Sequence, residues 1–217
     1  MKHVYLTGST GGIGQAIAQR LQRDGMHIVP LKSRLEDVAA LQDEVRALRQ
    51  KAPPDALIHA AGFGRFAPHE TLSADDIVRM VAVNLTAPIL LANLCLRDLR
   101  ERRGHIVHIG SIEATRSARW SALYSATKGG LHHFSLALYE EVRKAGVKVT
   151  ILHPDLVRTP FFDALDFAPE DGDDCALDPA EIAQAVSDIL AHAGTITELV
   201  IRPRRLGIRK KSAAQPT

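Results

Sequence analysis

The chain has 217 residues, 46% of them hydrophobic and 24% charged, with a formal net charge of +2; these proportions fit one globular domain and exclude disordered and fibrous classes. Its two cysteines, Cys95 and Cys175, cannot build a disulfide framework and belong to no C-x-x-C pair, so a reducing cytoplasm is the expected home. The charge is uneven, because the last sixteen residues hold six Arg or Lys and no acid, leaving a mildly acidic body.

Met1 to Leu6 runs straight into Thr7-Gly8 and has neither the apolar core nor the cleavage site of an export signal. A strand is expected over His3 to Thr7, followed by the turn Thr7-Gly8-Ser9-Thr10-Gly11-Gly12-Ile13-Gly14 and a helix over Ile13 to Arg23. A second strand, His27 to Leu31, leads into a helix over Leu35 to Arg49, and a third strand spans Ala56 to His59. Ser73, with Asp75 and Asp76 behind it, signals the start of a long helix from Ala74 to Arg102. Within it, Met80 to Leu96 is apolar but interrupted by Asn84, Thr86, Pro88 and Asn93. That stretch is shorter than the roughly 20 residues of a membrane span, so a buried helix is expected and no membrane partner.

Further strands are expected over His105 to Ile109, Lys148 to Leu152 and Glu198 to Ile201, with helices over Ser121 to Lys144 and Pro179 to Ala191. Asp178-Pro179 supplies a capping residue and a first-turn proline, and Gly25, Gly104, Gly146 and Gly194 mark the helix stops. Strand-length apolar runs alternating with helical periodicity predict βαβ units, hence a single-domain, doubly wound parallel α/β sheet over residues 1–202. Residues 203–217 read as a solvated basic tail, with no nucleic-acid partner.

The glycine turn has the strand before and the helix after it that a pyrophosphate cradle needs. Gly8 permits the tight turn, Gly12 lets backbone amides approach phosphates and Gly14 lets helix and strand pack closely. The helix N-terminus, opening at Ile13, adds N–H groups and positive partial charge, and Ser9 and Thr10 add hydroxyls. No Gly-Lys-Ser/Thr follows, which excludes a P-loop. A second constellation is Tyr124-Ser125-Ala126-Thr127-Lys128, with Ser111 thirteen residues before the tyrosine at the end of an apolar strand. Tyr124 and Lys128 are four apart and share a helix face, so the ammonium would favour the phenolate of a group that otherwise titrates near 10.

Together these motifs resemble the short-chain dehydrogenase/reductase family over residues 3–202. The resemblance implies that Tyr124 is general acid in reduction and base in oxidation, that Ser111 bonds the substrate oxygen, and that Lys128 holds the nicotinamide ribose and tunes Tyr124. Asn84 would anchor a proton-relay water. Ala60, Ala61 and Gly62 match the family's second glycine segment, with His59 in place of its first Asn. Val157 and Thr159 match the stretch that grips the carboxamide, with Asp155 in place of a glycine, a residue that tolerates positive φ. Only twenty residues stand between Arg34 and Asp55, so one strand and one helix of the family pattern are expected to be missing, leaving six strands. The expected reaction is hydride exchange with a carbonyl or alcohol of a small molecule, in a homo-oligomer pairing the two long helices. A non-catalytic NAD(P)-binding sensor is the alternative.

NADP(H) is expected over NAD(H), because Lys32-Ser33-Arg34 ends the second strand where an acid would meet the ribose hydroxyls of NAD; Arg34 offers a phosphate fork and Ser33 cannot repel a phosphate. Glu36 and Asp37 follow closely and keep NAD(H) open. Pocket walls are expected from Phe63 to Phe66, Ile112, Glu113, Trp120 and a lid over Phe161 to Ala176 that is acidic in its second half. The nearest histidine pairs, His132-His133 and His105/His108, lack a carboxylate at ligand spacing, so no metal is expected.

Overall fold

A computed structural model describes residues 1–116, 118–172 and 174–211. All six expected strands form: β1 His3–Thr7, β2 His27–Pro30, β3 Ala56–His59, β4 His105–Ile109, β5 Lys148–Pro154 and β7 Glu198–Ile201. They make one parallel sheet in the order β2-β1-β3-β4-β5-β7. The sheet stops at β2 because only α2 (Val38–Lys51) stands between β2 and β3.

Side chains alternate across the strands, and the sequence supplies apolar residues for both faces. Val4, Leu6, Ile58 and Val107 point to the side covered by α1 (Gly12–Arg23) and α6 (Pro179–Ala191), where they meet Ile17, Leu21, Ile182 and Val186. Tyr5, Leu57 and Ile106 point to the other side, against Leu41 and Val45 of α2, Leu91 and Cys95 of α4 (Ala87–Arg102) and Leu138 of α5 (Ala122–Val142). β1 is followed by strands on both its flanks, β2 on one and β3 on the other, which opens a crevice at the carboxyl ends of β1 and β3.

The long helix expected over Ala74 to Arg102 is divided into α3 (Ala74–Val81), a π turn over Ala82–Thr86, and α4. Pro88 is the cause available in the sequence, since it has no N–H to give the Asn84 carbonyl four residues back. By length and hydropathy Ala74–Arg102 could cross a membrane, but Ala87, Leu91, Cys95 and Leu99 are buried in the core. Ser73 and Asp178 cap α3 and α6 as expected, each in a reciprocal capping box, with Asp76 and Glu181. α2 begins three residues later than expected because the Asp37 carboxylate takes the Ala40 N–H at 2.9 Å. Among the expected stops, Gly25 and Gly146 are left-handed, but Arg103 takes that role at the end of α4 instead of Gly104, and α6 closes at an extended His192, ahead of Gly194.

Two short strands were not expected. β6 (Phe167–Pro169) and β8 (Ile208–Lys210) pair antiparallel, away from the main sheet. The basic segment read as a solvated tail from residue 203 is therefore, up to Lys211, bound to the acidic segment before α6; residues 212–217 and Asp173 lie outside the described residues.

Leu57 is fully buried in the middle of the sheet. Leu57→Ala is expected to cost about 2–5 kcal/mol, read as a lower urea midpoint with an unchanged slope.

Candidate active site

The residues singled out in the sequence lie along the carboxyl ends of β1, β3, β4 and β5. A cavity of about 360 Å³ is lined there by Ile13, Ala60, Gly62, Ser111, Tyr124, Lys128, Val157 and Thr159. Gly8 has a φ of +69°, and a Cβ there would lie 2.7 Å from the Ala61 nitrogen, so the tight turn and its contact with the segment after β3 both require glycine. Gly14 is also forced, because its Cβ would be 2.1 Å from the Gly8 carbonyl. Gly12 packs directly under Thr159. α1 opens from Gly11 with no side chain bonded to its first N–H groups and no acid in its first turn. Ser9 and Thr10 belong to the same turn.

Tyr124, Ser111, Lys128 and Asn84 are all buried. Ser111 ends β4, and its hydroxyl accepts the Glu113 N–H at 3.2 Å. The Lys128 ammonium donates to the Ile109 carbonyl at 3.0 Å and sits 5.8 Å from the Tyr124 ring centroid. Burial alone lowers its pKa from 10.5 to about 8. Tyr124 moves the opposite way, up to about 12, first because it is buried; the Ser111 hydrogen bond pulls it down and the Glu113 carboxylate pushes it up. Burial is the largest cause and leaves a protonated phenol; the Lys128 charge is not among the causes. Glu113 is itself held by Arg116 at 2.7 Å and Ser121 at 2.7 Å.

Asn84 spends its whole side chain on the protein. It donates to the Phe63 carbonyl at 2.9 Å and to Thr127 at 3.2 Å, and accepts the Phe63 N–H at 3.1 Å. The side chain thus ties the segment after β3 to α5, while the backbone carbonyl faces the missing N–H of Pro88. Lys128 has three donors and, among the described residues, one bonded acceptor; a Cβ on Gly62 would sit 3.4 Å from its Nζ and 3.3 Å from Asn84 Oδ1. The free donors, the narrow lane beside Gly62 and the uncapped start of α1 fit a nucleotide cofactor whose phosphates lie on α1 and whose ribose lies beside Lys128.

Other expectations fare differently. Val157 and Thr159 line the cavity, and Thr159 Oγ1 accepts the Phe161 N–H at 3.3 Å. Asp155 lines it too, without positive φ, so the glycine it replaces is not needed for a left-handed turn. Among the described residues neither ring nitrogen of His59 has a partner, and the ring stacks on His108 at 4.8 Å. Its burial holds it neutral, well below the usual histidine range. Ser33 and Arg34 lie outside the cavity. The Glu44 carboxylate takes the N–H groups of Lys32 and Ser33 at 2.8 and 2.9 Å, and Arg34 reaches outward, its side chain 81% exposed, to Glu36 at 3.7 Å.

One arrangement went unread in the sequence. His153, fully buried at the end of β5, lies 2.9 Å through Nδ1 from the Ser111 carbonyl, and its Nε2 lies 2.8 Å from His132 Nδ1. His132 therefore pairs with His153 and Glu198, not with His133. The planes of the two rings are inclined by 23° with centroids 4.9 Å apart, and the contact backs the turn that carries Ser111. The signal available was the placement of His132 four residues beyond Lys128, on the Tyr124 face of α5.

Residues 2–54 and 52–168 match the family model described as short chain dehydrogenase. An uncharacterized oxidoreductase of Staphylococcus aureus (strain N315) is 30% identical, covering 93% of this chain and 97% of that protein. Among solved structures, an alcohol dehydrogenase from the archaeon Thermococcus sibiricus complexed with 5-hydroxy-NADP superposes with a TM-score of 0.84 at 23% identity, over 94% of this chain and 97% of that one. A 4-hydroxyisoleucine dehydrogenase complexed with NADH gives 0.83 at 23%, over the same shares. At these identities the structures are alike in fold.

Burying Lys128 as a cation has a thermodynamic cost. A fall from 10.5 to about 8 corresponds to about 3 kcal/mol at neutral pH. Its folded pKa lies below the unfolded one, so the folded state gains stability as pH rises from about 8 towards 10.5, where only the unfolded chain still holds the proton. Lys128→Met is expected to be about 1–3 kcal/mol more stable than the parent to urea at pH 7, an advantage that shrinks on titration to pH 10.

Proposed function

Because the chain belongs to the short-chain dehydrogenase family, we propose that it is an oxidoreductase preferring NADP(H), exchanging hydride with the carbonyl or secondary-alcohol carbon of a small molecule. The observation that carries this reading is the convergence of Tyr124, Ser111 and Lys128 on one largely apolar cavity beside the glycine turn. The nicotinamide, when bound, supplies or takes the hydride. Val157 and Thr159 would hold its carboxamide end, and the start of α1 the phosphates.

Ser111, fixed from below by His153, presents its hydroxyl to the substrate oxygen, and Tyr124 gives that oxygen a proton. A phenol raised to about 12 is protonated at neutral pH, the form that reduction needs. The free donors of Lys128 hold the ribose. Asn84 would anchor the water that relays protons to Lys128 through its backbone carbonyl, because the side chain is already committed to Phe63 and Thr127. Phe66, Trp120, Phe161 and Phe167 give the cavity an aromatic lining, which favours carbonyl compounds with an apolar body. The reading extends to a cytoplasmic homo-oligomer paired through α4 and α5, without nucleic-acid or membrane partners.

The preference for NADP(H) rests on Lys32 and Arg34. Glu44 fixes the turn through its backbone, and the single long contact to Glu36 leaves Arg34 able to reach a ribose phosphate. Arg34→Ala is expected to weaken NADPH binding at least tenfold in a fluorescence titration while NADH binding stays within twofold; equal affinities in the parent would refute the preference.

Tyr124→Phe removes the transferred proton but keeps the ring against Phe66. Its expected turnover of aromatic ketones and aldehydes is below a hundredth of the parent, with NADPH affinity retained. A non-catalytic sensor would instead bind NADPH and oxidise it with no member of a carbonyl panel.

A further inference from the structure

Behind the turn that carries Ser111, three elements bring nitrogen and oxygen donors to one point. His153 lies near the end of β5, Glu198 opens β7, and His132 belongs to α5, which covers that face of the sheet. β5 and β7 are parallel with Ile151 opposite Glu198, so the two-residue alternation puts Glu198 on the same face as His153 and diagonal to it. Among the described residues, His132, His153 and Glu198 form a group whose donor atoms all lie within 4.8 Å of one another.

The shape of that group is informative. His132 Nδ1 and His153 Nε2 are 2.8 Å apart, and Glu198 Oε1 lies 3.5 Å from the second and 3.7 Å from the first. The carboxylate is thus aimed at both rings from beyond the usual N–H···O distance. Ligand atoms bound to a tetrahedral zinc ion stand about 3.3–3.5 Å apart, a triangle these three atoms reach with shifts of about 0.3 Å each. Two imidazoles and one carboxylate are also a donor set that zinc takes.

The surroundings meet the other requirements of such a site. A metal-bound histidine gives its second ring N–H to a carbonyl or carboxylate, and His153 Nδ1 lies 2.9 Å from the Ser111 carbonyl. With Nε2 on an ion, the proton of the neutral ring can sit only on Nδ1. The choice Nδ1 has between that carbonyl and the Ser111 N–H at 3.3 Å is then settled for the carbonyl. His153 is fully buried, but the side chains of His132 and Glu198 are 19% and 37% exposed, which gives an ion a way in and a water room to bind it. None of the three lines the substrate cavity.

We propose that His132 Nδ1, His153 Nε2 and Glu198 Oε1 form a zinc site, with water as fourth ligand, that clamps α5, β5 and β7 together behind Ser111. The site does not depend on which reaction the cavity performs, and its test is equilibrium binding. Untagged protein, stripped with a chelator and freed of it, is dialysed against Zn²⁺, with Mg²⁺ as the control that prefers an all-oxygen shell.

The parent is expected to bind one Zn²⁺ per chain that Mg²⁺ does not displace. His132→Asn and Glu198→Gln are each expected to weaken that binding at least tenfold, and His133→Asn, at the exposed neighbouring position, to leave it within twofold. Zn²⁺ is also expected to raise the thermal midpoint of the parent, since an ion held only by the folded chain stabilises it, and to leave that of Glu198→Gln unmoved. Glu198 is on the edge strand and partly exposed, so its amide variant keeps the test open if His132→Asn does not fold. A parent that binds no Zn²⁺, or a Glu198→Gln protein that binds it as tightly as the parent, overturns the site and leaves His132 and His153 as a hydrogen-bonded pair.

Discussion

A lysine ammonium excluded from water is the costly element around which this site is built. Lys128 lies inside α5 with one carbonyl acceptor, from Ile109, and burial brings its pKa to about 8. Such a group persists only where the surrounding structure fixes it and function gives the free donors a partner. Three features do the fixing: the end of β4, which supplies the carbonyl; Asn84, which ties α5 to the segment after β3 through Thr127 and Phe63; and Gly62, whose lack of a side chain leaves the lane beside Nζ open. The π turn that places Asn84 follows in turn from Pro88.

The same economy appears beneath Ser111. A serine at a strand end has an ill-defined backbone unless its peptide groups are engaged, and here the His153 ring sits under Gly110 and Ser111, with a Gly110 Cβ excluded at 2.5 Å. His153 is kept neutral by burial and by the neighbouring His132, with Glu198 opposing them from β7 and Lys128 adding to them from α5. Nδ1 of this ring lies 2.9 Å from the Ser111 carbonyl and 3.3 Å from the Ser111 N–H, so both peptide groups of Ser111 are engaged by one nitrogen, while Nε2 meets His132. The three residues come from β5, α5 and β7, elements whose packing is set by the apolar core.

Much of this was legible in the residues. The six sheet strands are short apolar runs with sharp polar borders, and α6 carries its start in Asp178, Pro179 and Glu181, all local signals. The missing strand and helix could be read from the twenty residues after Arg34. What was not legible depends on contacts between distant segments. β6 and β8 have three residues each, and neither Phe-Ala-Pro nor Ile-Arg-Lys carries a strand pattern until the other is beside it. The charge of the tail was visible, but its partner was 40 residues away. The upward shift of Tyr124 was hidden for a similar reason: sequence showed the cation four residues on but not the degree of burial, which is the largest cause of the shift.

That direction bears on which way the chemistry runs. A phenol held near 12 with a lysine held near 8 places the proton on the tyrosine and makes the lysine the easier of the two to discharge. Oxidation of an alcohol in this site needs the reverse, a tyrosinate ready to accept. Before any cofactor binds, then, the electrostatics are those of a proton donor aimed into an apolar cavity, and the oxidised nicotinamide, a cation, would be the contribution that shifts Tyr124 towards the base. Burial thus keeps the proton on Tyr124 in the protein alone, and the charge of the cofactor sets how far that can be reversed.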